Sequence, residues 1–82
     1  MFIYKTQGVC STEIHLDIEH NIIKSVDFIR GCQGNLLGIS SLLEGMDIDH
    51  AISKLKGIKC MKKDTSCPDQ LSIALEEFKK TI

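Results

Sequence analysis

The chain has 82 residues, of which 43% are hydrophobic and 26% are charged, and its formal net charge is −1. This length predicts a single domain over residues 1–82 with a small core, and the balanced charge makes nucleic acid or a membrane surface an unexpected partner. The sequence contains neither a signal peptide pattern nor an apolar run of about 20 residues, so we expect a cytoplasmic protein with reduced thiols.

The first third of the chain has the pattern of β structure. Phe2 to Lys5 predicts a short strand, and from Thr12 onward apolar and polar residues alternate, which is typical of a strand with one wet face. Glu19-His20-Asn21 predicts a hairpin loop because asparagine tolerates left-handed backbone geometry, and Ile22 to Ile29 predicts the return strand. Together these segments predict a three-stranded antiparallel meander. The inward residues of its second strand are expected to be Ile14, Leu16 and Ile18, opposite an outward set of Glu13, His15, Asp17 and Glu19.

Three helices are predicted in the remaining chain. Asn35 to Glu44 has helical spacing of its apolar residues and ends before Gly45. Asp47 is a suitable N-cap for a second helix, which Gly57 closes. The fold class is therefore predicted as α+β, with a three-stranded antiparallel sheet followed by about three helices packed on one face. The apolar stripe of the first helix is predicted to comprise Leu36, Ile39, Leu42 and Leu43.

The last predicted helix begins at a cysteine. Ser66 is its expected N-cap, Pro68 fits its first turn, and Asp69 suggests a variant of the capping box. Its buried stripe is expected to consist of Leu71, Ile73, Ala74, Leu75 and Phe78.

The four cysteines all fall at the ends of predicted elements. Cys10 lies between the first two strands, Cys32 in a glycine loop before the first helix, Cys60 after the second helix, and Cys67 at the start of the last. Core cysteines usually lie within an apolar stripe, whereas loops on a rigid scaffold commonly carry functional sites. This placement favours a site shared by the four cysteines. The alternative interpretation, four unrelated reduced thiols, stays open.

The spacing of the cysteines is less specific than their placement. The separations are 22, 28 and 7 residues, and the close Cys-x2-Cys pair of a zinc finger is absent from the sequence. A tetrahedral zinc site is therefore expected only if the fold itself assembles the four thiolates. Gly31 and Gly34 would allow the backbone to approach such a site closely. Disulfides are disfavoured because the expected compartment is reducing.

Cys67 has a further chemical indication. The N-terminus of a helix and the nearby lysines Lys59, Lys62 and Lys63 stabilise a thiolate at this position. A thiolate is both a metal ligand and a nucleophile, so metal binding and sulfur transfer remain open here.

The other polar groups are interpreted as surface residues. Lys54, Lys56, Lys59, Lys62 and Lys63 are concentrated in one segment, but this segment contains neither aromatic residues nor a glycine-rich phosphate loop. We expect a solvated loop and helix end there. The three histidines lack a second ligand type at suitable spacing and are therefore also interpreted as surface residues; they are His15, His20 and His50.

Four blocks of the sequence resemble the TSCPD domain family. Thr65-Ser66-Cys67-Pro68-Asp69 spells its signature, and similar blocks precede it at residues 8–11, 31–35 and 57–60. The family occurs at the C-terminus of adenosylcobalamin-dependent ribonucleotide reductases and as small stand-alone proteins, some of them labelled ribonucleoside-diphosphate reductase. The resemblance implies a metal-binding set formed by Cys10, Cys32, Cys60 and Cys67. It implies no reductase activity of the chain on its own, because 82 residues leave no room for a catalytic radical barrel.

A looser similarity is to the scaffold proteins of iron–sulfur cluster assembly. These also run from sheet to helices, and Cys10, Cys32 and Cys67 match the order of their cysteines. The chain differs from them in having Cys60 and in lacking their histidine–cysteine pair. This difference favours a closed, structural site.

The four cysteines and the resemblance to the TSCPD family together lead us to expect a small metal-binding module, with zinc as the metal. The resemblance alone implies a role accessory or regulatory to ribonucleotide reduction, with a ribonucleotide reductase or another protein as the partner. Iron or an iron–sulfur cluster is the alternative cofactor. The alternative functions are an iron–sulfur or sulfur carrier and a nucleotide-binding protein related to the reductases. The sequence predicts no oligomeric state.

Overall fold

The three strands found in residues 1–31 form one antiparallel sheet, in which each strand pairs with the next one along the chain. The computed structural model describes residues 1–31, 33–60 and 63–81. Strand β1 spans Phe2–Lys5, β2 spans Glu13–Glu19 and β3 spans Ile22–Ile29. The register places Tyr4 opposite Ile14, and Leu16 opposite Val26. The predicted meander is thereby confirmed.

The β2–β3 hairpin is closed by two residues in left-handed geometry. His20 has φ of 52° and Asn21 has φ of 66°, the combination that a two-residue turn needs to match the twist of its strands. The predicted hairpin is confirmed, although Glu19 still belongs to β2 and is not part of the loop.

Three helices follow the sheet in the described part of the chain. Helix α1 spans Gln33–Leu43, α2 spans Ile48–Leu55 and α3 spans Cys67–Lys80. The Asp47 carboxylate accepts the His50 N–H at 3.2 Å, and the Ser66 hydroxyl accepts the Asp69 N–H at 3.1 Å. Both predicted N-caps are therefore confirmed, as is the α+β fold class.

The helices cover the apolar face of the sheet. Residues Ile14 and Leu16 of β2 are fully or almost fully buried, whereas Asp17 on the opposite face is exposed. Alternation along the strand thus separates the core from the wet face. The buried residues of this core are Ile14, Leu16, Ile23, Val26, Leu43, Ile48, Ala51, Leu71, Ala74 and Leu75.

Helix α1 buries a narrower stripe than its sequence predicts. Leu36 and Leu43 are buried, but Leu42 is 77% exposed, so the prediction that Leu42 faces the core is wrong. Leu42 and Leu43 are adjacent and therefore point about 100° apart on a helix, and only Leu43 reaches the core. Leu37 is also 62% exposed.

Among residues 1–31, 33–60 and 63–81, no helix is both long enough and apolar enough to cross a membrane.

Candidate metal centre

Two of the four cysteines that were predicted to share a site lie close together at the end of the sheet. The sulfur of Cys10 lies 3.7 Å from the sulfur of Cys67. Cys67 is the first residue of α3 and is only 7% exposed, whereas Cys10 lies in the β1–β2 loop and is exposed. Their separation is much longer than the about 2.05 Å of a disulfide bond, and close to the about 3.8 Å between two thiolates on one tetrahedral Zn²⁺.

The β1–β2 loop is held by hydrogen bonds at its base. Thr6 N–H donates to the Thr12 carbonyl at 3.1 Å, and Thr12 N–H donates to the Ile29 carbonyl at 2.8 Å. The Thr6 hydroxyl also donates to the Ser11 carbonyl at 2.5 Å. These bonds extend the sheet ladder beyond the named strands, so the segment that carries Cys10 is fixed relative to β2 and β3.

Ser11 is a site residue that sequence reasoning missed. Its side chain is buried, with 2% of its surface exposed, and its hydroxyl lies 3.3 Å from the Cys67 sulfur. The adjacent position of Ser11 and Cys10 was the signal available in the sequence. A hydroxyl beside a cysteine is common, however, and only the fold brings this one to the second thiol.

The backbone directly before Cys32 lies against the Cys10 sulfur. Gly31 has φ of 98°, and a Cβ at this position would lie 3.2 Å from the Cys10 sulfur and 2.8 Å from Leu36 Cδ1. The close approach predicted for Gly31 is present. Gly34 differs, because a Cβ there would meet nothing within 4 Å. Cys32 itself lies outside the described residues.

Cys60 lies on the loop that leads to α3. Its N–H donates to the Thr65 carbonyl at 3.2 Å, and its carbonyl accepts the Lys63 N–H at 2.9 Å. Its side chain is exposed. Within the described ranges, 1–31, 33–60 and 63–81, no three Cys, His, Asp or Glu side chains are grouped so that they could hold a metal ion. The described geometry therefore brings together Cys10 and Cys67, while convergence of all four cysteines stays a prediction.

Asp69 connects the start of α3 to the segment that carries Cys60. One of its carboxylate oxygens accepts the Gly57 N–H at 2.7 Å, and the other accepts the Thr65 hydroxyl at 2.6 Å. The Ser66 hydroxyl donates to the Ile58 carbonyl at 2.6 Å. The predicted capping box is thus only half present, because Asp69 bonds to Gly57 and Thr65 and not to the Ser66 backbone.

Gln70 connects the same helix to the segment that carries Cys10. Its side-chain amide donates to the Thr65 hydroxyl at 3.0 Å, and its side-chain carbonyl accepts the Gln7 N–H at 3.0 Å. Gln70 is 5% exposed. Sequence reasoning missed this residue, since a glutamine in the first turns of a helix has no pattern that distinguishes it from a surface residue.

One tyrosine near this helix has an altered acidity. Burial raises the pKa of the Tyr4 hydroxyl above its ordinary value of 10.0, and the negative charges of Glu77 and Asp69 raise the pKa further. Tyr4 therefore remains protonated at neutral pH.

The residues interpreted as surface groups are mostly in accessible positions. Lys54, Lys56, Lys59 and Lys63 are exposed, and Lys62 lies outside the described residues. His20 and His50 are exposed, whereas His15 is partly buried and lies 2.8 Å from the Glu13 carboxylate.

Comparison with known proteins identifies one family. The profile of the TSCPD domain matches residues 2–79. No curated protein and no solved structure matches the chain. The match extends from β1 to the last turn of α3, so it includes all four cysteines and the hydrogen bonds of Thr65, Asp69 and Gln70.

Proposed function

The chain belongs to the TSCPD domain family, and we propose that it binds one Zn²⁺ ion through Cys10, Cys32, Cys60 and Cys67. The observation that carries the proposal is the 3.7 Å separation of the Cys10 and Cys67 sulfurs. This separation matches the distance between two thiolates at two corners of a tetrahedral zinc site.

The positions of the other two cysteines are compatible with this donor set. Cys32 directly follows Gly31, whose backbone lies against the Cys10 sulfur. Cys60 is hydrogen-bonded through its backbone to Thr65, two residues before Cys67. Four thiolates with no open position are typical of structural zinc, and soft sulfur ligands favour Zn²⁺ over the hard ions Mg²⁺ and Ca²⁺.

Bound zinc would contribute folding free energy to a small domain. A chain of this length buries only about 60–65% of the surface that its unfolded form exposes, so its core alone gives modest stability. Metal binding that requires the folded arrangement of thiolates adds its own free energy to folding. We infer a structural role for the metal: when bound by the cysteines, it would hold together the loops that meet at the start of α3.

Metal analysis and titration test this function. Protein purified under reducing conditions is expected to contain one equivalent of zinc by mass spectrometry, and metal-free protein is expected to take up one equivalent in competition with a chromophoric chelator. Cys67→Ser and Cys10→Ser are expected to lose stoichiometric binding. Ser72→Ala is the matched control, because Ser72 is buried on the same helix and its hydroxyl donates to the Asp69 carbonyl within that helix. Folded wild-type protein that takes up no zinc would contradict the proposal.

The wider role that we propose is accessory or regulatory to ribonucleotide reduction. Its support is the family, whose domain also occurs at the C-terminus of adenosylcobalamin-dependent reductases. Co-elution of the zinc-loaded protein with the reductase of the same organism, lost when zinc is removed, is the expected result. Elution as two separate species with and without zinc would count against this partner.

A further inference from the structure

We propose that Thr65 and Gln70 are positioning residues. Their side chains hold the β1–β2 loop, which carries Cys10, against the start of α3, and in this way they set the distance between the Cys10 and Cys67 sulfurs. Neither residue contacts a sulfur in the described hydrogen bonds. Gln70 acts through the backbone of Gln7, to which its side chain is bonded, and Thr65 acts through its hydrogen bonds to the side chains of Gln70 and Asp69.

The hydrogen bonds that join these segments have a fixed direction. The Asp69 carboxylate can only accept, so the Thr65 hydroxyl gives it its single proton. The same hydroxyl must then accept from the Gln70 amide nitrogen, and this turns the Gln70 carbonyl oxygen towards Gln7 N–H. We call this chain of hydrogen bonds through Asp69, Thr65, Gln70 and Gln7 the bridge, and each of its side-chain groups has one compatible orientation.

The bridge connects the segments of three cysteines. Gln7 lies three residues before Cys10, and Thr65 lies two residues before Cys67. Asp69 extends the bridge to Gly57, three residues before Cys60. A metal site whose donors come from separate loops depends on residues that hold those loops in place. Without such residues, each loop would lose conformational entropy when the site forms, and this loss would weaken binding.

Burial makes the bridge sensitive to small changes. Gln70 is 5% exposed, and a buried amide left without partners is costly. A Cβ at Gly8 would lie 3.5 Å from the Thr65 methyl group, which therefore packs beside the same loop. Thr65→Val keeps this methyl and removes the hydroxyl, whereas Thr65→Ser does the reverse.

The first measurement is independent of metal. In a metal-free Cys32→Ser, Cys60→Ser background, the remaining thiols react with glutathione disulfide. The Cys10 and Cys67 sulfurs form one S–S bond, the S–S bond of glutathione disulfide breaks, and its two sulfurs take the two electrons and two protons as two molecules of glutathione. The equilibrium constant reports the effective concentration of one thiol at the other.

Thr65→Val and Gln70→Met are expected to lower this effective concentration about tenfold, in line with the loss of one or two hydrogen bonds. Thr65→Ser and Ser72→Ala are expected to remain close to wild type. Unchanged equilibria in Thr65→Val and Gln70→Met would overturn the proposal. An equal fall in Ser72→Ala would also overturn it, since the effect would then follow general loss of stability.

The second measurement is zinc affinity, and its interpretation rests on the proposed function. Thr65→Val and Gln70→Met are expected to bind zinc about 10–100-fold more weakly than wild type, as is usual when the groups behind the ligands are changed. Wild-type protein that binds no zinc, together with a tenfold shift in thiol equilibrium, would refute the metal and keep the positioning role. Tight zinc binding in all four variants, together with unchanged thiol equilibria, would keep the metal and refute the positioning role.

Discussion

The hydroxyl of Ser11 is placed to form a hydrogen bond with the Cys67 sulfur. It lies 3.3 Å from that sulfur and is buried. A protonated thiol can donate to the hydroxyl, whereas a metal-bound thiolate can only accept from it. Metal binding would therefore fix the direction of this hydrogen bond, with Ser11 as the donor. Such a bond withdraws electron density from the sulfur and changes its properties as a ligand.

Ser11→Ala is expected to alter the spectrum of the cobalt-substituted protein. Loss of the donated hydrogen bond makes the Cys67 thiolate more electron-rich, so the sulfur-to-cobalt charge-transfer band moves to lower energy. Affinity for zinc is expected to fall about tenfold, the low end of the usual effect of a group that supports a ligand. Absorption spectroscopy and chelator competition measure the two effects.

Thr12→Val is the matched control for Ser11→Ala. Its hydroxyl donates to the Ile29 carbonyl at 3.3 Å on the same loop but does not contact the sulfur. A charge-transfer band that moves equally in both variants, or in neither, would be inconsistent with the assigned hydrogen bond.

Helix α1 contains a glycine that its packing does not require. Gly38 lies in the interior of the helix, its φ is not positive, and a Cβ there would meet nothing within 4 Å. Glycine in an exposed helix interior costs about 0.5–1 kcal/mol relative to alanine, because its unfolded backbone has more freedom. We expect Gly38→Ala to stabilise the domain by this amount in urea unfolding.

Gly31→Ala is the contrasting substitution just before the same helix. Its positive φ and the 2.8 Å approach to Leu36 Cδ1 make an added methyl strained, so this variant is expected to be less stable than wild type. If the two variants shifted the unfolding free energy in the same direction, the packing assigned to these two positions would be wrong.

The connection between α1 and α2 is fastened to the β2–β3 hairpin. Ile23 N–H donates to the Met46 carbonyl at 2.9 Å, and Gly45 N–H donates to the Ile23 carbonyl at 2.8 Å. The Asn21 amide donates to the Asp47 carboxylate at 3.1 Å. Asp47 therefore caps α2 and ties that helix to the hairpin turn.

Asp47 is expected to make stability depend on acid pH. The hydrogen bond from His50 N–H lowers the pKa of its carboxyl below the ordinary value of 3.8, and the Asn21 amide lowers the pKa further. Because the folded pKa is the lower one, this contribution is present above the unfolded pKa and is lost as pH falls through the folded pKa. The gap in unfolding free energy between wild type and Asp47→Asn is expected to narrow from about pH 6 to about pH 2.

Urea unfolding of metal-free protein at each pH measures this gap, since metal binding would add its own pH dependence. Asp64→Asn, at an exposed position outside the helices, is the control. A gap of constant size across the range would contradict the assignment of Asp47 as the titrating group.

The sequence was sufficient to predict the elements because their signals are local. Alternation identified the strands, and Asp47 and Ser66 identified the helix starts, since a cap depends on residues within one turn. Leu42 was assigned to the core because spacing shows that a helix has an apolar side but not how wide a stripe its neighbours cover. That width depends on β3, the strand on which α1 packs.

At the scale of the whole molecule, the candidate site could be predicted only in outline. The position of Cys10 and Cys67 at element ends suggested a shared site, but their contact joins residues 57 positions apart. The bond from Gln7 to Gln70 spans 63 positions. Such contacts follow from how α3 packs on the sheet, and no local pattern in the chain encodes them.

Zinc binding is expected to raise the free energy of unfolding of the whole domain. A ligand that binds the folded state stabilises that state by up to about 1.4 kcal/mol for each tenfold rise in free ligand above its dissociation constant. Unfolding free energy measured in zinc buffers is therefore expected to rise with free zinc in wild type and to stay constant in Cys67→Ser. Magnesium at the same concentrations is expected to have no effect, because it prefers oxygen ligands. A rise of equal slope in both proteins would mean that zinc binds elsewhere, whereas a slope found only in wild type would link the Cys10–Cys67 end of the sheet to the stability of the domain.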